Sequence, residues 1–224
     1  MRTVIEYVRT HRHVWWSLFV PCYLAAFFTI EHFITDNYWA TQLPIDDYIP
    51  FCKYFIVIYD AWAPLLVTIG LYLIVKDPEG FRRYIWSLIF TFGFSTVFCI
   101  LLPNGQDLRP AAVEGSDFFA WLVRATYAAD TNTNVFPSVH VVGVMSALFA
   151  VYHTPGLRRW TWRAGTTALG AVIIAATLLV KQHAVIDIAA GLALSALDYV
   201  LIYVIVARRR DKLANPGIDG DGRV

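Results

Sequence analysis

The chain has 224 residues, of which 58% are hydrophobic and 16% are charged, and its mean hydropathy is +0.53. A soluble domain of this length is less apolar, so the composition excludes an ordinary soluble enzyme. The formal net charge is +1, and the basic residues show no footprint of nucleic-acid binding.

Six apolar runs are long enough to cross a bilayer, which takes roughly 17–25 residues of helix. They cover residues 14–34, 54–75, 84–102, 136–153, 164–180 and 184–207. These runs predict an all-α fold, an integral-membrane six-helix bundle that forms a single domain over residues 1–207. Residues 208–224 are polar and Gly-rich, which predicts a disordered cytoplasmic tail.

The positive charges predict the orientation of the bundle. Of the 18 Lys and Arg residues, 14 lie before the first run, between runs 2 and 3, between runs 4 and 5, or after run 6. By the positive-inside rule these segments and both termini are cytoplasmic. The first run has no small-residue cleavage pattern after it, which favours an uncleaved signal anchor.

Two acidic residues near the outer ends of helices 1 and 2 need an explanation. Glu31 at the end of the first run is expected to be solvated at the membrane interface. Asp60 lies about 9 Å inside the second run, at ~1.5 Å per residue. It either makes a structural hydrogen bond or lines a polar site.

Residues 103–135 form the longest segment outside the apolar runs, and long loops of this kind tend to be functional. The segment begins with a polar block that contains Arg109. An amphipathic piece over Ser116–Ala129 follows, and Ser116 is a candidate cap for it. We expect a short helix in the plane of the outer interface, between helices 3 and 4.

The polar stretch Thr131–His140 leads directly into the fourth run. Pro137 suits the first turn of a helix, where its missing N–H costs nothing. The free N–H groups of that turn and the Ser138 hydroxyl would form a cradle for an anion. His140, in the same turn, would place a proton donor or acceptor beside it.

The 44 residues Ala164–Ala207 contain one polar cluster, at Lys181–His183. A single helix of that length would measure ~66 Å, about twice the hydrocarbon thickness, so the chain must turn at the cluster. Asp187 follows His183 by four residues, which predicts that the two share a helical face.

The predicted topology brings Arg109, His140, His183 and Asp187 to the outer interface, and their chemistry suits phosphoryl transfer. Arg109 offers a planar fork of donors for phosphate oxygens. Asp187 could hold one nitrogen of His183 and leave the other to attack phosphorus. His140 could protonate the leaving oxygen.

Three blocks carry a family resemblance: block 1 (Asn104–Pro110), block 2 (Phe136–His140) and block 3 (Lys181–Asp187). In order, spacing and side they resemble the signature blocks of the type-2 phosphatidic acid phosphatase superfamily. The resemblance implies a metal-independent, six-helix lipid-phosphate phosphatase in a bacterial plasma membrane, with its active site extracytoplasmic. It implies His183 as nucleophile, His140 as acid, Asp187 as the orienting group, and Arg109 with Ser138 as the phosphate site.

The blocks depart from the usual pattern at three positions. Leu102 stands where a lysine is usual, Val139 replaces a glycine, and Ala176-Thr177 replaces Ser-Arg. Lys181 is the nearest basic residue that could restore a phosphate-binding charge. These variant blocks are also similar to those of sphingolipid headgroup transferases, which pass the phosphoryl group to an alcohol.

Several alternatives to a phosphatase therefore stay open. One is a headgroup phosphotransferase that uses the same residues. A second is a membrane cytochrome with His140 and His183 as axial haem ligands, and a third is an inactive relative that binds lipid. Cys22, Cys52 and Cys99 have no spacing typical of a metal site, and neither metal nor cofactor is expected. The expected partners are the bilayer and a lipid substrate; the sequence gives no oligomeric state.

Overall fold

The computed structural model describes residues 2–33 and 36–206, and the predicted tail at 208–224 lies outside them. This part of the chain is mostly helical. The helices are α1 (Arg2–Thr10), α2 (Phe19–Phe33), α3 (Ile56–Asp60), α4 (Trp62–Lys76), α5 (Pro78–Leu101), α6 (Phe118–Ala129), α7 (Val139–His153), α8 (Trp160–Leu179) and α9 (Val185–Asp198), which continues as a π-helix over Tyr199–Val206. Short 3-10 helices cover Arg12–Leu18, Pro44–Tyr48, Lys53–Phe55 and Pro155–Leu157. Strands β1 (Trp39–Ala40) and β2 (Asn104–Gly105) pair in parallel.

Five helical segments in the described part of the chain are long and apolar enough to cross a membrane, as in a multi-pass membrane protein. They are Arg12–Phe33, Lys53–Lys76, Pro78–Leu101, Trp160–Leu179 and Val185–Val206. The fourth predicted span corresponds to α7, which has 15 residues. At ~1.5 Å per residue it is roughly 22 Å long, shorter than a hydrocarbon layer of about 30 Å.

Helix α7 is the centre of the fold, since it packs against α4, α5, α8 and α9. Val141, Val142 and Val144 are fully buried, as expected for a helix that is apolar on every face. Two neighbours approach α7 closely because they contribute glycine. A Cβ on Gly170 of α8 would lie 2.7 Å from Val144, and one on Gly191 of α9 would lie 2.9 Å from Val141.

Two helix boundaries differ from the prediction, and proline explains both. The second span is interrupted at Ala61 because Pro64 has no N–H for the carbonyl of Asp60, and its ring collides with that carbonyl. The third begins at Pro78 instead of residue 84. Asp77 caps it by accepting a 2.8 Å bond from Gly80 N–H, and proline suits the first helical position.

The bundle has two chemically different ends. The end that carries His140 and His183 is here called the His end. The opposite end, which carries Arg82 and Arg83 at the start of α5, is called the basic end. Helix α5 runs between them, since Cys99 in its last turn donates to the carbonyl of Phe136 beside His140.

Candidate active site

Blocks 1, 2 and 3 are bonded to one another at the His end. The Asn104 side chain of block 1 accepts a 2.8 Å bond from the Phe136 N–H of block 2. The Gln106 amide donates a 2.8 Å bond to the Lys181 carbonyl of block 3. Three segments that are distant in sequence therefore form one polar unit.

The start of α7 positions His140. Ser138 is the N-cap, and its hydroxyl accepts from the Val141 N–H at 3.4 Å. Its own N–H donates to the Asp187 carbonyl of block 3 at 3.2 Å. Pro137 precedes the cap, so the expectation that it lies in the first helical turn is wrong. The cap bond occupies the Val141 N–H, so of the predicted anion cradle only the N–H groups of Val139 and His140 remain without an intrahelical acceptor.

Two aromatic side chains that sequence reasoning missed fix the His140 ring. The Tyr59 and Trp62 rings lie 4.6 and 4.5 Å from it, measured between ring centroids. They come from α3 and α4, on either side of the break at Ala61. The imidazole is 7% exposed and held in one orientation by these contacts.

His183 is positioned by the predicted turn between α8 and α9. Lys181 takes a left-handed conformation with φ +55°, which is uncommon for a residue other than glycine. The Lys181 N–H bonds the Leu178 carbonyl, and the Gln182 N–H bonds the Thr177 carbonyl, as in a Schellman motif. The Thr177 carbonyl also accepts from the His183 N–H at 3.3 Å, so the turn presents His183 directly after α8 ends.

The structure brings His140, His183 and Asp187 into one line. His140 Nδ1 lies 3.0 Å from His183 Nε2, and His183 Nδ1 lies 3.5 Å from Asp187 Oδ2. The predicted geometry of the second pair is wrong, because His183 precedes α9 and does not share a helical face with Asp187. The two meet because Asp187 folds back over the helix start, where Oδ2 also accepts from the Ala184 N–H at 2.8 Å.

His183 Nδ1 makes no hydrogen bond among the described residues, so its 3.5 Å approach to Asp187 Oδ2 is an ion-pair contact. One assignment of protons suits these three groups. A proton on His183 Nδ1 faces Asp187, which leaves the Nε2 lone pair to accept from a proton on His140 Nδ1. A nucleophilic lone pair and an acidic proton thus face each other. A phosphoryl group between them would need two contacts of about 3 Å, so the nitrogen atoms must separate to roughly 6 Å.

Arg109 also lies at the His end, where its guanidinium is hydrogen-bonded to oxygen atoms of the protein. Its guanidinium donates to the carbonyls of Asp130 and Thr131 at 2.7 and 2.6 Å, and to the Gln182 amide oxygen beside His183. It also stacks on the Tyr127 ring at 4.2 Å. The Nε atom is buried and has no partner among the described residues. Arg109 closes the end of α6, and Nε is one donor that remains for a ligand.

Asp130, which sequence reasoning missed, connects these groups. Its carboxylate accepts a 2.8 Å bond from the Tyr59 hydroxyl, and Tyr59 packs on His140. Burial raises the pKa of Asp130, whereas the Tyr59 bond and the charges of His183 and Arg109 oppose the shift. A second carboxyl group therefore influences both imidazoles.

Glu31 is buried, so its predicted solvation at the interface is wrong. The side chain is 5% exposed. It accepts from the Thr131 N–H at 2.9 Å, from the Thr131 hydroxyl, and from the Asn134 amide at 2.7 Å. Glu31 therefore fixes the polar loop that leads into block 2.

Lys181 holds an outer loop against the start of α9. Its ammonium donates to the Asp46 carbonyl at 2.9 Å. The Asp46 carboxylate in turn accepts from the Val185 and Leu43 N–H groups, both at 2.8 Å. In this arrangement the lysine stabilises the loop that presents His183.

The remaining candidates are structural. Asp60 is hydrogen-bonded to Thr126 of α6, the first of its two predicted roles. Helix α6 is capped by Asp117 instead of Ser116.

Among the described residues, no group of three His, Cys, Asp or Glu side chains could hold a metal ion. The haem alternative does not fit, since His140 and His183 bond each other directly and do not face each other across a porphyrin.

No family model matches this chain, and no curated protein matches its sequence.

Proposed function

We propose that this protein is an integral-membrane phosphatase that hydrolyses a lipid phosphomonoester or diphosphate through a phosphohistidine on His183. The observation that carries the proposal is the line from Asp187 through His183 to His140, with separations of 3.5 and 3.0 Å. The supporting features are the capped helix start at Ser138 and the guanidinium of Arg109 beside Gln182.

In the first step, His183 Nε2 forms a bond to phosphorus while the bond from phosphorus to the lipid oxygen breaks. His140 acts as the imidazolium in the complex with the anionic substrate, gives its Nδ1 proton to that leaving oxygen and becomes neutral. In the second step, water attacks the phosphohistidine and returns a proton to His140 as the nitrogen–phosphorus bond breaks. Arg109, Ser138 and the N–H groups of the first α7 turn stabilise the phosphoryl oxygens. In this mechanism Lys181 acts from outside the phosphate site, through the loop that holds His183.

In the proposed membrane arrangement α7 is the sixth span, surrounded by the five longer ones. The basic end faces the cytoplasm because positive residues are retained there. The His end then faces the other side, and α6 lies in the interface with Phe118 and Trp121 exposed to it. The lipid chains stay in the bilayer while the phosphate reaches His183.

The test is phosphate release by the full chain in detergent micelles, with phosphatidate, phosphatidylglycerophosphate and a polyprenyl diphosphate as substrates. We expect at least one substrate to be turned over and His183→Ala to abolish its turnover. His153→Ala is the matched control, because His153 is an exposed histidine at the other end of α7. Activity retained in the His183 variant would reject the mechanism.

The burial of the two imidazoles favours a second candidate, transfer of the phosphoryl group to a lipid alcohol. His140 and His183 are 7% and 4% exposed, so little water reaches them. Product analysis with and without added diacylglycerol separates the two reactions. Inorganic phosphate as the main product in both cases would reject transfer, and a phosphorylated acceptor would support it.

A further inference from the structure

A second polar region, at the basic end, has no role in the proposed reaction. Helix α1 lies across the end of α4, because the Tyr7 hydroxyl and the His13 ring nitrogen both bond the Ile74 carbonyl at 3.0 Å. The following 3-10 turn brings Trp16 against Trp86 of α5, with ring centroids 4.9 Å apart. The N-terminal segment is thereby attached to the bundle at two places.

Two open cavities flank this tryptophan pair. One, of about 760 Å³, is lined by Arg9, Arg12, Trp15 and Trp16. The other, of about 370 Å³, is lined by Arg82, Arg83, Trp86, Ile202 and Val206. Each cavity therefore combines two guanidinium groups with at least one indole ring.

The positive charge of this region is poorly neutralised by the residues that the structure describes. Arg82 lies 3.7 Å from Glu79, and both side chains are about half exposed, at 48% and 41%. Within residues 2–33 and 36–206, Arg9 and Arg12 form no ion pair. Arg83 Nε is buried and has no hydrogen-bond partner in the same part of the chain. An anion that enters either cavity would meet donors that are still available.

The apolar walls indicate that the anion belongs to a lipid. Ile202 and Val206, at the end of the last span, line the same cavity as Arg82 and Arg83. Trp15, Trp16 and Trp86 are exposed, as is typical of tryptophan at the level of lipid headgroups. A soluble phosphate would use the guanidinium groups only, whereas a phospholipid would use the aliphatic wall as well.

We propose that the cavity lined by Arg82, Arg83 and Trp86, on one side of the Trp16–Trp86 pair, binds the headgroup of an anionic phospholipid. The phosphate lies on Arg82 and Arg83, and an acyl chain follows the aliphatic wall formed by Ile202 and Val206. The site lies at the end of the bundle opposite to His183 and does not depend on the proposed reaction.

The test compares lipids bound to the full chain, counted by native mass spectrometry after extraction into detergent with added phosphatidylglycerol or phosphatidylcholine. We expect wild type to retain phosphatidylglycerol preferentially and the double variant Arg82→Gln/Arg83→Gln to bind it at least tenfold more weakly. The control is Arg158→Gln/Arg159→Gln, which removes the same charge from the turn before α8, where neither residue lines the two cavities.

A second control separates this site from the active site. His140→Ala/His183→Ala is expected to retain phosphatidylglycerol, because the two imidazoles lie at the other end of the bundle. Equal loss of phosphatidylglycerol binding in both arginine double variants would mean that binding depends on total positive charge and not on this cavity. That result would overturn the proposal. Equal retention of phosphatidylcholine, or loss in the histidine variant, would overturn it as well.

Discussion

Two buried carboxylates on the last helix, Asp187 and Asp198, have chemically different neighbours. Both are fully buried, at the first and last turns of α9. Asp187 lies beside the imidazole of His183, whereas Asp198 accepts a 2.5 Å bond from the Ser87 hydroxyl, which also bonds Ser146. The comparison teaches that burial alone does not distinguish a reactive carboxylate from a structural one. Imidazoles exchange protons near neutral pH, and hydroxyl groups do not.

The two sites also differ in the segments that supply their partners. The groups around Asp187 come from turns and helix starts, which can rearrange when a ligand enters. Ser87 and Ser146 lie within α5 and α7, where close packing fixes them. We therefore expect substitutions at the His end to change turnover and substitutions around Asp198 to change stability.

The largest expected effect is on turnover. Asp187→Asn should lower the turnover number by about 10²–10⁴-fold, because an amide cannot hold a proton-bearing Nδ1 and stabilise the positive imidazole in the same way. Asp198→Asn should change it less than threefold. Steady-state phosphate release measures both, and equal losses in the two variants would contradict the distinction between them.

A smaller effect is expected on stability. Asp198→Ala removes the carboxylate acceptor of the Ser87 hydroxyl in a buried site, leaves it only Ser146 as partner, and should cost about 1–3 kcal/mol. Thermal unfolding of the purified protein in detergent measures the change, and phosphate release per folded molecule should stay at the wild-type level. A large fall in turnover without loss of stability would assign Asp198 to the reaction instead.

The third prediction concerns pH. Burial raises the pKa of Asp130 in the folded protein, so its contribution to stability is present below its unfolded pKa and is lost as pH rises through the folded value. The melting temperature of Asp130→Asn, relative to wild type, should therefore increase as pH rises from about 4. Asp36→Asn removes an exposed charge and serves as control. A difference that does not change with pH would contradict the assignment.

The smallest effect is expected at Lys181. Lys181→Met removes the bond to the Asp46 carbonyl but keeps the length of the side chain. We expect a melting temperature lower by a few degrees, with KM for the lipid changed less than threefold. A tenfold increase in KM without loss of stability would instead indicate that the ammonium binds substrate phosphate.

The sequence predicted the features that depend on local pattern. Apolar runs gave the helices, and the polar cluster at 181–183 gave the reversal between α8 and α9. Charge and hydropathy together placed Arg109, His140 and His183 at one end. The structure places them there, because Arg109 bonds Gln182 and His140 bonds His183.

What the sequence did not predict depends on contacts between distant segments. Asp46 caps Val185 across 139 positions, and Glu31 bonds Asn134 across 103. No periodicity in the sequence indicates such pairs, so neither the burial of Glu31 nor the bond of Asp46 to Val185 can be predicted from local pattern. The break at Ala61, in contrast, could have been predicted from Pro64, and it separates Tyr59 from Trp62 at the site.

The most direct test of the central claim is detection of the phosphorylated residue. In His140→Ala, an activated substrate such as p-nitrophenyl phosphate needs little help in leaving, while the base for the second step is absent. We expect acid-labile, alkali-stable phosphate to accumulate on the peptide that contains His183, as measured by mass spectrometry at high pH. Turnover by the wild type with label on another residue, or with none on His183 in this variant, would contradict the account.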